Sequence, residues 1–194
     1  MDFIVIRHGQ TDYNAQTRFQ GRMDIPLNAT GKKQAEENGQ KLAELLGDRL
    51  SEFDFTSSPL GRARNTMEII RSKCGLDQTS YSIDQRLIEI SFGDWEGRTL
   101  SDLQENDAEL HAERERAKWT FVPPGENAES YATLSTRIED YLKSITKPTV
   151  CVCHGGVIRA MLHIWGEDTD NLAAIRQIPQ DKILVSDQGG RRWI

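Results

Sequence analysis

Short apolar or alternating segments recur along the chain, and lengths of about four to six residues are typical of β-strands. Residues 3–6 and 149–153 are almost entirely apolar, which predicts strands that are buried on both faces of a sheet. Residues 53–57 alternate between apolar and polar side chains, as a half-buried strand does. Residues 80–83 predict another short strand, and residues 182–186 and 191–193 predict a terminal hairpin.

Longer segments between these strands repeat apolar residues every three to four positions, which predicts amphipathic helices. One begins near Thr30 and is ended by Gly47. Another is expected to use Ser58 as its N-cap and Pro59 as its first residue, because proline needs no hydrogen-bond partner at that position. A capping box that begins at Ser101 is expected to open a highly charged helix. The predicted helices are 30–46, 59–74, 101–119, 129–145 and 155–165.

Strands that alternate with helices predict an α/β fold, because a strand that continues through a helix usually returns as a parallel neighbour. We therefore expect a three-layer sandwich in which a mostly parallel central sheet is flanked by helices on both faces. Residues 92–98 contain two glycines and are expected to form a loop. No internal repeat or long linker interrupts the pattern, so residues 1–194 are expected to form a single domain.

Composition narrows the classes of partner to be expected. The 24 lysines and arginines are outnumbered by 30 aspartates and glutamates, which gives a formal net charge of −6. Nucleic acids and anionic membranes attract basic proteins, so neither is an expected partner. No apolar run approaches the roughly 18 residues of a membrane span, and no secretory leader is visible. The three cysteines, an odd number, make a poor disulfide framework, and a cytoplasmic location is expected.

Histidine and arginine residues follow the ends of three predicted strands. Arg7 and His8 come directly after the first strand, Arg62 follows the second, and His154 follows the strand at 149–153. In a parallel sheet the carboxyl ends of the strands lie along one edge, where ligands collect. The two histidines and at least two arginines are therefore expected to converge on one site.

Two imidazoles and two guanidinium groups in one pocket are suited to a phosphoryl group. Guanidinium binds phosphate oxygens in a bidentate fork and keeps its charge. Imidazole is a competent nucleophile near neutral pH, and neighbouring cations lower its pKa, so that the attacking nitrogen stays unprotonated. The same cations stabilise the negative charge on a transferring phosphoryl group. The sequence therefore predicts phosphoryl chemistry at this edge of the sheet.

Four motifs of the chain resemble those of the histidine phosphatase superfamily, which includes the cofactor-dependent phosphoglycerate mutases. In chain order they are Arg7-His8-Gly9, Ser58-Pro59-Leu60-Gly61-Arg62-Ala63, Leu87-Ile88-Glu89 with Phe92-Gly93-Asp94-Trp95-Glu96-Gly97, and His154-Gly155-Gly156-Val157-Ile158-Arg159. Four motifs in family order are far more specific than the short Arg-His-Gly motif alone. The resemblance implies a phosphoglycerate mutase-like fold.

The resemblance also implies a role for each catalytic residue. His8 is expected to be the nucleophile that becomes phosphohistidine. Arg7, Arg62 and His154 are expected to hold the phosphoryl oxygens. Glu89 matches the acid that protonates the leaving oxygen and later acts as the base that activates water.

A second group of residues is expected to bind the substrate. Asn14 matches a hydrogen-bond donor to the phosphate pocket, and Gly155 offers its backbone amide at a helix start, where anions bind. Thr11, Gln20 and Gly21 lie in a segment that resembles the family's substrate-side loop. The resemblance implies a mechanism without a metal or a cofactor, and the expected partner is a small phosphorylated substrate.

Plainer interpretations stand beside these roles. Two nearby acids, Asp94 and Glu96, are alternatives for the proton donor. The segment Cys151-Val152-Cys153-His154 has residue types that bind metals, but a core strand is favoured because a closed metal site needs about four ligands. His111 and His163 have no visible partner in the sequence, and ordinary structural roles are favoured for both. The charged stretch 107–118 is expected to be a solvated helix face.

One segment departs from the family pattern. Many small phosphatases of the family carry Pro-Gly-Gly-Glu-Ser before the penultimate helix, but here Asn127 and Ala128 stand where the glycine pair is expected. These residues restrict the backbone more than glycine does. The departure is expected to affect the choice of substrate more than the phosphoryl chemistry.

Three functions are compatible with these motifs. A phosphatase, the favoured hypothesis, would pass the phosphoryl group from His8 to water. A mutase would return it to another hydroxyl of the same substrate, but known mutases of the family carry an insertion around the pocket that a chain of 194 residues is not expected to contain. A non-catalytic binder of phosphorylated ligands would be expected to lose His8, Arg62 or Glu89. The physiological substrate and the oligomeric state do not follow from the sequence.

Overall fold

The computed structural model describes residues 2–194, which form one mixed sheet with helices on both faces. The strands are β1 (Phe3–Arg7), β2 (Asp54–Ser57), β3 (Ser82–Ile83), β4 (Thr149–Cys153), β5 (Ile183–Asp187) and β6 (Gly190–Trp193). The helices are α1 (Asp12–Ala15), α2 (Ala29–Leu46), α3 (Gly61–Lys73), α4 (Leu100–Asn106), α5 (Ala108–Arg116), α6 (Tyr131–Ser144), α7 (Gly155–Ile164) and α8 (Asp170–Ile175). Within the described residues, no helix is both long enough and apolar enough to span a membrane.

The sheet has the strand order β3-β2-β4-β1-β5-β6. The first four strands in this order are parallel, and Arg7 at the end of β1 lies opposite Cys153 at the end of β4. Strand β5 runs antiparallel to β1, and β6 completes the predicted terminal hairpin. The predicted α/β class with a mostly parallel central sheet is confirmed.

Alternating side chains of the central strands supply two separate cores. Phe3 and Val5 of β1 face the core that is shared with α6, α7 and α8. Ile4 and Ile6 face the opposite core, which includes side chains of α2 and α3. Burial of both faces explains why these strands are apolar nearly throughout, since each side chain leaves water whichever way it points.

Helix α3 begins at Gly61, two residues later than the predicted start at Pro59. Leu60 takes the N-cap position in an extended conformation, and the free amides of the first turn are satisfied from a distant loop. The backbone N–H of Gly61 donates to Asp24 Oδ2 over 2.8 Å, and that of Arg62 donates to Asp24 Oδ1 over 3.4 Å. The expected cap, Ser58, uses its hydroxyl elsewhere.

The charged segment predicted as one helix forms two, α4 and α5, separated at Asp107. Asp107 has φ −140° and ψ 44°, and its carboxylate pairs with Arg98. The capping box lies two residues earlier than predicted: Thr99 and Asp102 satisfy each other's backbone amides. A long-range ion pair thus stabilises a break that local helix propensity does not predict. The short helices α1 and α8 were also not predicted.

Before α6, Asn127 and Ala128 stand where the family pattern has two glycines, and the backbone conformation explains how Asn127 is tolerated there. Asn127 has φ 58°, in the left-handed region that glycine adopts most easily and that asparagine tolerates better than most residues. Asn127 can therefore stand where the family pattern has glycine. Ala128 packs against the 92–98 loop, close to Gly93.

Candidate active site

Three parallel strands bring the predicted site residues together at one edge of the sheet. His8 follows β1, Ser58 follows β2 and His154 follows β4, which lies between the other two strands. The backbone N–H of His8 donates to Cys153 O over 3.0 Å, and that of Ser58 donates to Val152 O over 3.0 Å. These bonds extend the sheet by one residue on each side and fix the positions of the side chains that follow.

The His8 imidazole is buried in a single tautomer. Its Nδ1–H donates to the Gly9 carbonyl over 2.8 Å, and its Nε2 accepts from Arg62 Nε over 3.2 Å. A carbonyl can only accept, so the proton lies on Nδ1 and the lone pair on Nε2. Burial, followed by the charges of Arg62 and Arg7, holds the pKa of His8 well below 6.5. The ring is therefore neutral, and Nε2 is the nitrogen available for nucleophilic attack.

Arg62 is almost fully buried beside His8 and is held by the chain on several sides. Its Nη1 donates to Met23 O over 2.6 Å, and its Nη2 donates to Gly21 O over 2.7 Å. In the amide orientation that satisfies its neighbours, Gln20 accepts from Arg62 Nη1 over 2.9 Å and donates to Thr11 Oγ1 over 2.5 Å. Burial lowers the pKa of Arg62 to about 10, so it stays charged at neutral pH.

Arg7 approaches from β1 with one of its donors unsatisfied. Its Nη1 donates to Ile178 O over 2.7 Å, whereas its buried Nε has no acceptor among the described residues. Burial and the nearby charge of Arg159 lower the pKa of Arg7 to about 10. The first residue of α7 lies against this side chain: a Cβ at Gly155 would stand 3.4 Å from Arg7 Nε, in van der Waals contact.

His154 is fully buried, with its ring centroid 5.1 Å from that of His8. Its Nε2 lies 2.6 Å from Ser58 Oγ, and its buried Nδ1 has no partner among residues 2–194. Burial, together with the charges of Arg62, His8 and Arg7, holds the pKa of His154 well below 6.5. Both imidazoles are therefore neutral at neutral pH.

Glu89 is mostly buried where the 87–92 segment meets α7. Its Oε1 accepts from Ile90 N over 2.9 Å, and its Oε2 accepts from Gly156 N over 3.1 Å. The two alternative acids are placed differently. Glu96 binds backbone amides, including that of Phe92 at 3.1 Å, and Asp94 is exposed. Of the three, Glu89 alone lines the cavity of the site.

The cavity has a volume of about 610 Å³. Eight of the ten predicted site residues line it: Arg7, His8, Asn14, Gln20, Gly21, Arg62, Glu89 and Gly155. His154 and Thr11 are fully buried and are not among the lining residues. Thr11 caps α1 by accepting from Asn14 N over 3.2 Å, so it supports the wall rather than forming it.

Several lining residues are not among the ten site residues that the sequence predicted. Arg18, Phe19, Arg114, Lys118, Tyr131 and Gln180 all contribute to the cavity wall. Gln180 Nε2 donates to His8 O over 3.0 Å and to Asn14 Oδ1 over 3.1 Å, and thereby fixes both. These residues meet only through the tertiary fold, and no local pattern in the sequence marks them.

The remaining histidines and the cysteines lie outside the cavity. His163 packs against Trp119 at a centroid distance of 4.2 Å, and His111 Nε2 lies 3.8 Å from a carboxylate oxygen of Glu115. Cys151 and Cys153 are buried in the sheet. Within residues 2–194, no group of three or more His, Cys, Asp or Glu side chains is arranged to hold a metal.

Acidification below pH 6.5 is expected to destabilise the fold. Because His8 and His154 have pKa values below 6.5 in the folded state, the unfolded chain binds more protons in this range. The contribution of the two histidines to the free energy of unfolding is complete above pH 6.5. As the pH falls below this value, the contribution decreases by up to about 1.4 kcal/mol per pH unit for each imidazole. Urea unfolding in phosphate-free buffers measures this slope. His154→Asn should make it shallower, and an unchanged slope would contradict the assignment.

Comparison with known proteins agrees with this geometry. The sequence pattern of the histidine phosphatase superfamily (branch 1) matches residues 3–193. A protein of Citrobacter koseri named as a probable phosphoglycerate mutase, GpmB, is 38% identical over 144 residues, which are 74% of this chain and 62% of that protein. Phosphoglycerate mutase-like protein 4 of Arabidopsis thaliana is 32% identical over 165 residues, 82% of this chain and 69% of that protein. The chain thus spans less than two thirds of the length of GpmB.

Solved structures give the same family with different named activities. A mycobacterial glucosyl-3-phosphoglycerate phosphatase, determined with VO3, superposes with a TM-score of 0.77 at 27% identity, covering 100% of this chain and 96% of that one. A candidate alpha-ribazole-5′-P phosphatase from Escherichia coli superposes with a TM-score of 0.79 at 25% identity, covering 100% and 94%. The chain belongs to the histidine phosphatase superfamily.

Proposed function

We propose that the protein is a phosphomonoester hydrolase that acts on a small phosphorylated metabolite through a phosphohistidine on His8. One observation carries the proposal: the unprotonated Nε2 of a neutral, buried imidazole lies among buried cations and donors. One of those donors, Arg7 Nε, has no acceptor among the described residues. Buried donors are normally satisfied, so the arrangement favours an oxyanion as the ligand.

In the first step, His8 Nε2 attacks phosphorus and a P–N bond forms as the ester P–O bond breaks. Glu89, in its protonated form, gives its proton to the leaving oxygen, and the alcohol departs. In the second step, the Glu89 carboxylate takes a proton from water as the water oxygen attacks phosphorus. The P–N bond breaks, inorganic phosphate leaves, and His8 and the protonated Glu89 are restored.

The remaining residues act on the charge of the phosphoryl group. Arg7 and Arg62 offer fixed positive charge, which stabilises the equatorial oxygens in the transition state. Asn14 uses its side-chain oxygen for contacts with Thr11 N and Gln180, which leaves its amide nitrogen free to donate. The Gly155 amide stands at the first position of a ten-residue helix, a favourable place for an anion.

The cavity and the named relatives bear on the substrate. A volume of about 610 Å³ is within the range of sites that bind a whole small metabolite, so the cavity has room for a leaving group as well as the phosphoryl group. Both solved relatives are named as phosphatases of small phosphorylated compounds. Sequence relatives named as phosphoglycerate mutases make a mutase the second candidate.

A turnover screen distinguishes these two candidates. The protein is incubated with a panel of phosphomonoesters in excess chelator, and release of inorganic phosphate is measured. In parallel, 3-phosphoglycerate is assayed for conversion to its 2-phospho isomer. We expect phosphate release that survives the chelator, and little isomerisation. Isomerisation faster than phosphate release would identify a mutase, and loss of activity that added zinc or magnesium restores would refute the metal-free mechanism.

A further inference from the structure

The two nitrogens of the His154 ring have different surroundings. Nε2 lies 2.6 Å from the Ser58 hydroxyl oxygen, whereas Nδ1 is buried without a partner among residues 2–194. A neutral imidazole carries its proton on one nitrogen only. The position of that proton decides whether Nδ1 can donate to a ligand or only accept.

The hydrogen bonds of Ser58 settle the position of the proton. Ser58 is fully buried, and its oxygen already accepts the Leu60 N–H over 3.4 Å. Among the described residues, His154 Nε2 is the one acceptor that the Ser58 hydroxyl hydrogen can reach. If Nε2 carried the proton, both the serine hydrogen and the Nδ1 lone pair would be buried without partners, whereas a proton on Nδ1 leaves only the Nδ1–H unpaired among the described residues. The network therefore leaves Nε2 as the acceptor and the proton on Nδ1.

We propose that Ser58 is a positioning residue that fixes the tautomer of His154, so that Nδ1–H is the donor to the transferring phosphoryl group. This inference rests on the proposed function for its ligand. Ser58 does not line the cavity and acts only through His154. His8 and His154 thus share one tautomer but present opposite nitrogens: His8 presents a lone pair and His154 presents a donor.

The backbone around Ser58 is consistent with this role. Leu60 is extended, with φ −69° and ψ 138°, and α3 starts only at Gly61, where Asp24 supplies the cap. Ser58 is therefore not required to cap the helix, and its hydroxyl is free to turn toward His154. The bond from its own N–H to Val152 O holds the residue at the end of β2, level with the strand that precedes His154.

The tautomer is measured directly by ¹⁵N NMR of the histidine side chains, in which protonated and unprotonated ring nitrogens resonate far apart. We expect His154 to show a protonated Nδ1 and an unprotonated Nε2 in the wild-type protein. Ser58→Ala should give a mixture of tautomers, and Ser58→Thr should restore the wild-type pattern. Orthovanadate, a phosphate analogue, should shift the Nδ1 resonance of the wild-type protein more than that of Nε2.

Turnover supplies the second readout. Ser58→Ala is expected to lower kcat by about 10- to 100-fold. The upper value is the loss that follows removal of one transition-state donor. Ser58→Thr should recover most of this loss. Ser57→Ala is the matched control, because the neighbouring hydroxyl is equally buried but contacts Ser58 O over 3.0 Å and not His154. Its kcat should stay within about twofold of wild type.

The outcomes separate this inference from the proposed function. A proton on His154 Nε2 in an active wild-type protein would overturn the inference. A slow Ser58→Ala variant with an unchanged His154 spectrum would also overturn it, because Ser58 would then act through packing. A wild-type protein with the expected spectrum but no turnover on any phosphomonoester would refute the hydrolase and, with it, the role of Nδ1–H as a donor in catalysis.

Discussion

His8→Ala is expected to lower kcat for phosphomonoester hydrolysis by at least about 10⁴-fold, because removal of a nucleophile leaves only binding and electrostatic catalysis. In the folded protein His8 lines the cavity, and its Nε2 accepts a hydrogen bond from the buried guanidinium of Arg62. The variant should also lose the acid-labile phosphate that the wild-type protein acquires from a labelled substrate. Rapid quenching followed by an acid and base stability test of the labelled protein measures this.

The matched control is His163→Ala, which removes an imidazole that packs against Trp119 outside the cavity. This variant should label and turn over like the wild type. Acid-labile phosphate on the His8→Ala protein would place the phosphoryl acceptor elsewhere, with His154 as the nearest candidate. Full activity in the same variant would remove His8 from the mechanism altogether.

Glu89→Gln is expected to slow hydrolysis by an amount that depends on the leaving group. An alkyl phosphate needs a proton on the departing oxygen, so its kcat/KM should fall by about 10²- to 10⁴-fold. A nitrophenyl phosphate leaves as a stable anion, so its kcat/KM should fall much less. Steady-state kinetics on the two substrates measures the difference between them, which a general loss of structure would not produce.

The hydrogen bonds of Glu89 make it necessary to measure the stability of the Glu89→Gln variant together with its activity. Both carboxylate oxygens accept backbone N–H bonds, from Ile90 and Gly156, so the glutamine amide group would place a donor against one of these N–H groups. A stability loss of about 1–3 kcal/mol is expected, and unfolding is measured alongside activity. Asp94→Asn, on an exposed acid, should behave like the wild type. Equal losses on both substrates would show that Glu89 is not the proton donor.

The carboxyl ends of the predicted strands correctly indicated which residues, distant in sequence, lie together at one edge of the sheet. The apolar runs before His8 and His154 are long enough to define strands, and parallel pairing then places both histidines at one edge. Arg62 follows from the same argument, since its helix starts just beyond β2. The structure brings these residues together as predicted, while their chemical roles stay predictions.

Details that depend on tertiary contacts could not be predicted from local patterns. The start of α3 depends on the carboxylate of Asp24, which lies 37 positions away from Gly61. The break at Asp107 depends on Arg98, and the support of His8 depends on Gln180, 172 positions further along the chain. A local cap or periodicity cannot reveal a partner at such separations, so sequence patterns misplace helix ends before they misplace whole helices.

The internal bonds of Arg62 have a consequence for product release. Three of its donors already bind the carbonyls of Gly21 and Met23 and His8 Nε2, so in the proposed cycle a phosphate ion gains a contact with any of these three only by displacing or sharing an existing bond. The net gain in ground-state affinity is therefore small, whereas a transition state with more charge on its oxygens gains more. When phosphate leaves, the carbonyls of Gly21 and Met23 again accept hydrogen bonds from Arg62. Under the proposed function, Arg62 of the free enzyme is then not a bare cation, and we expect its contribution to inhibition by phosphate to be weak.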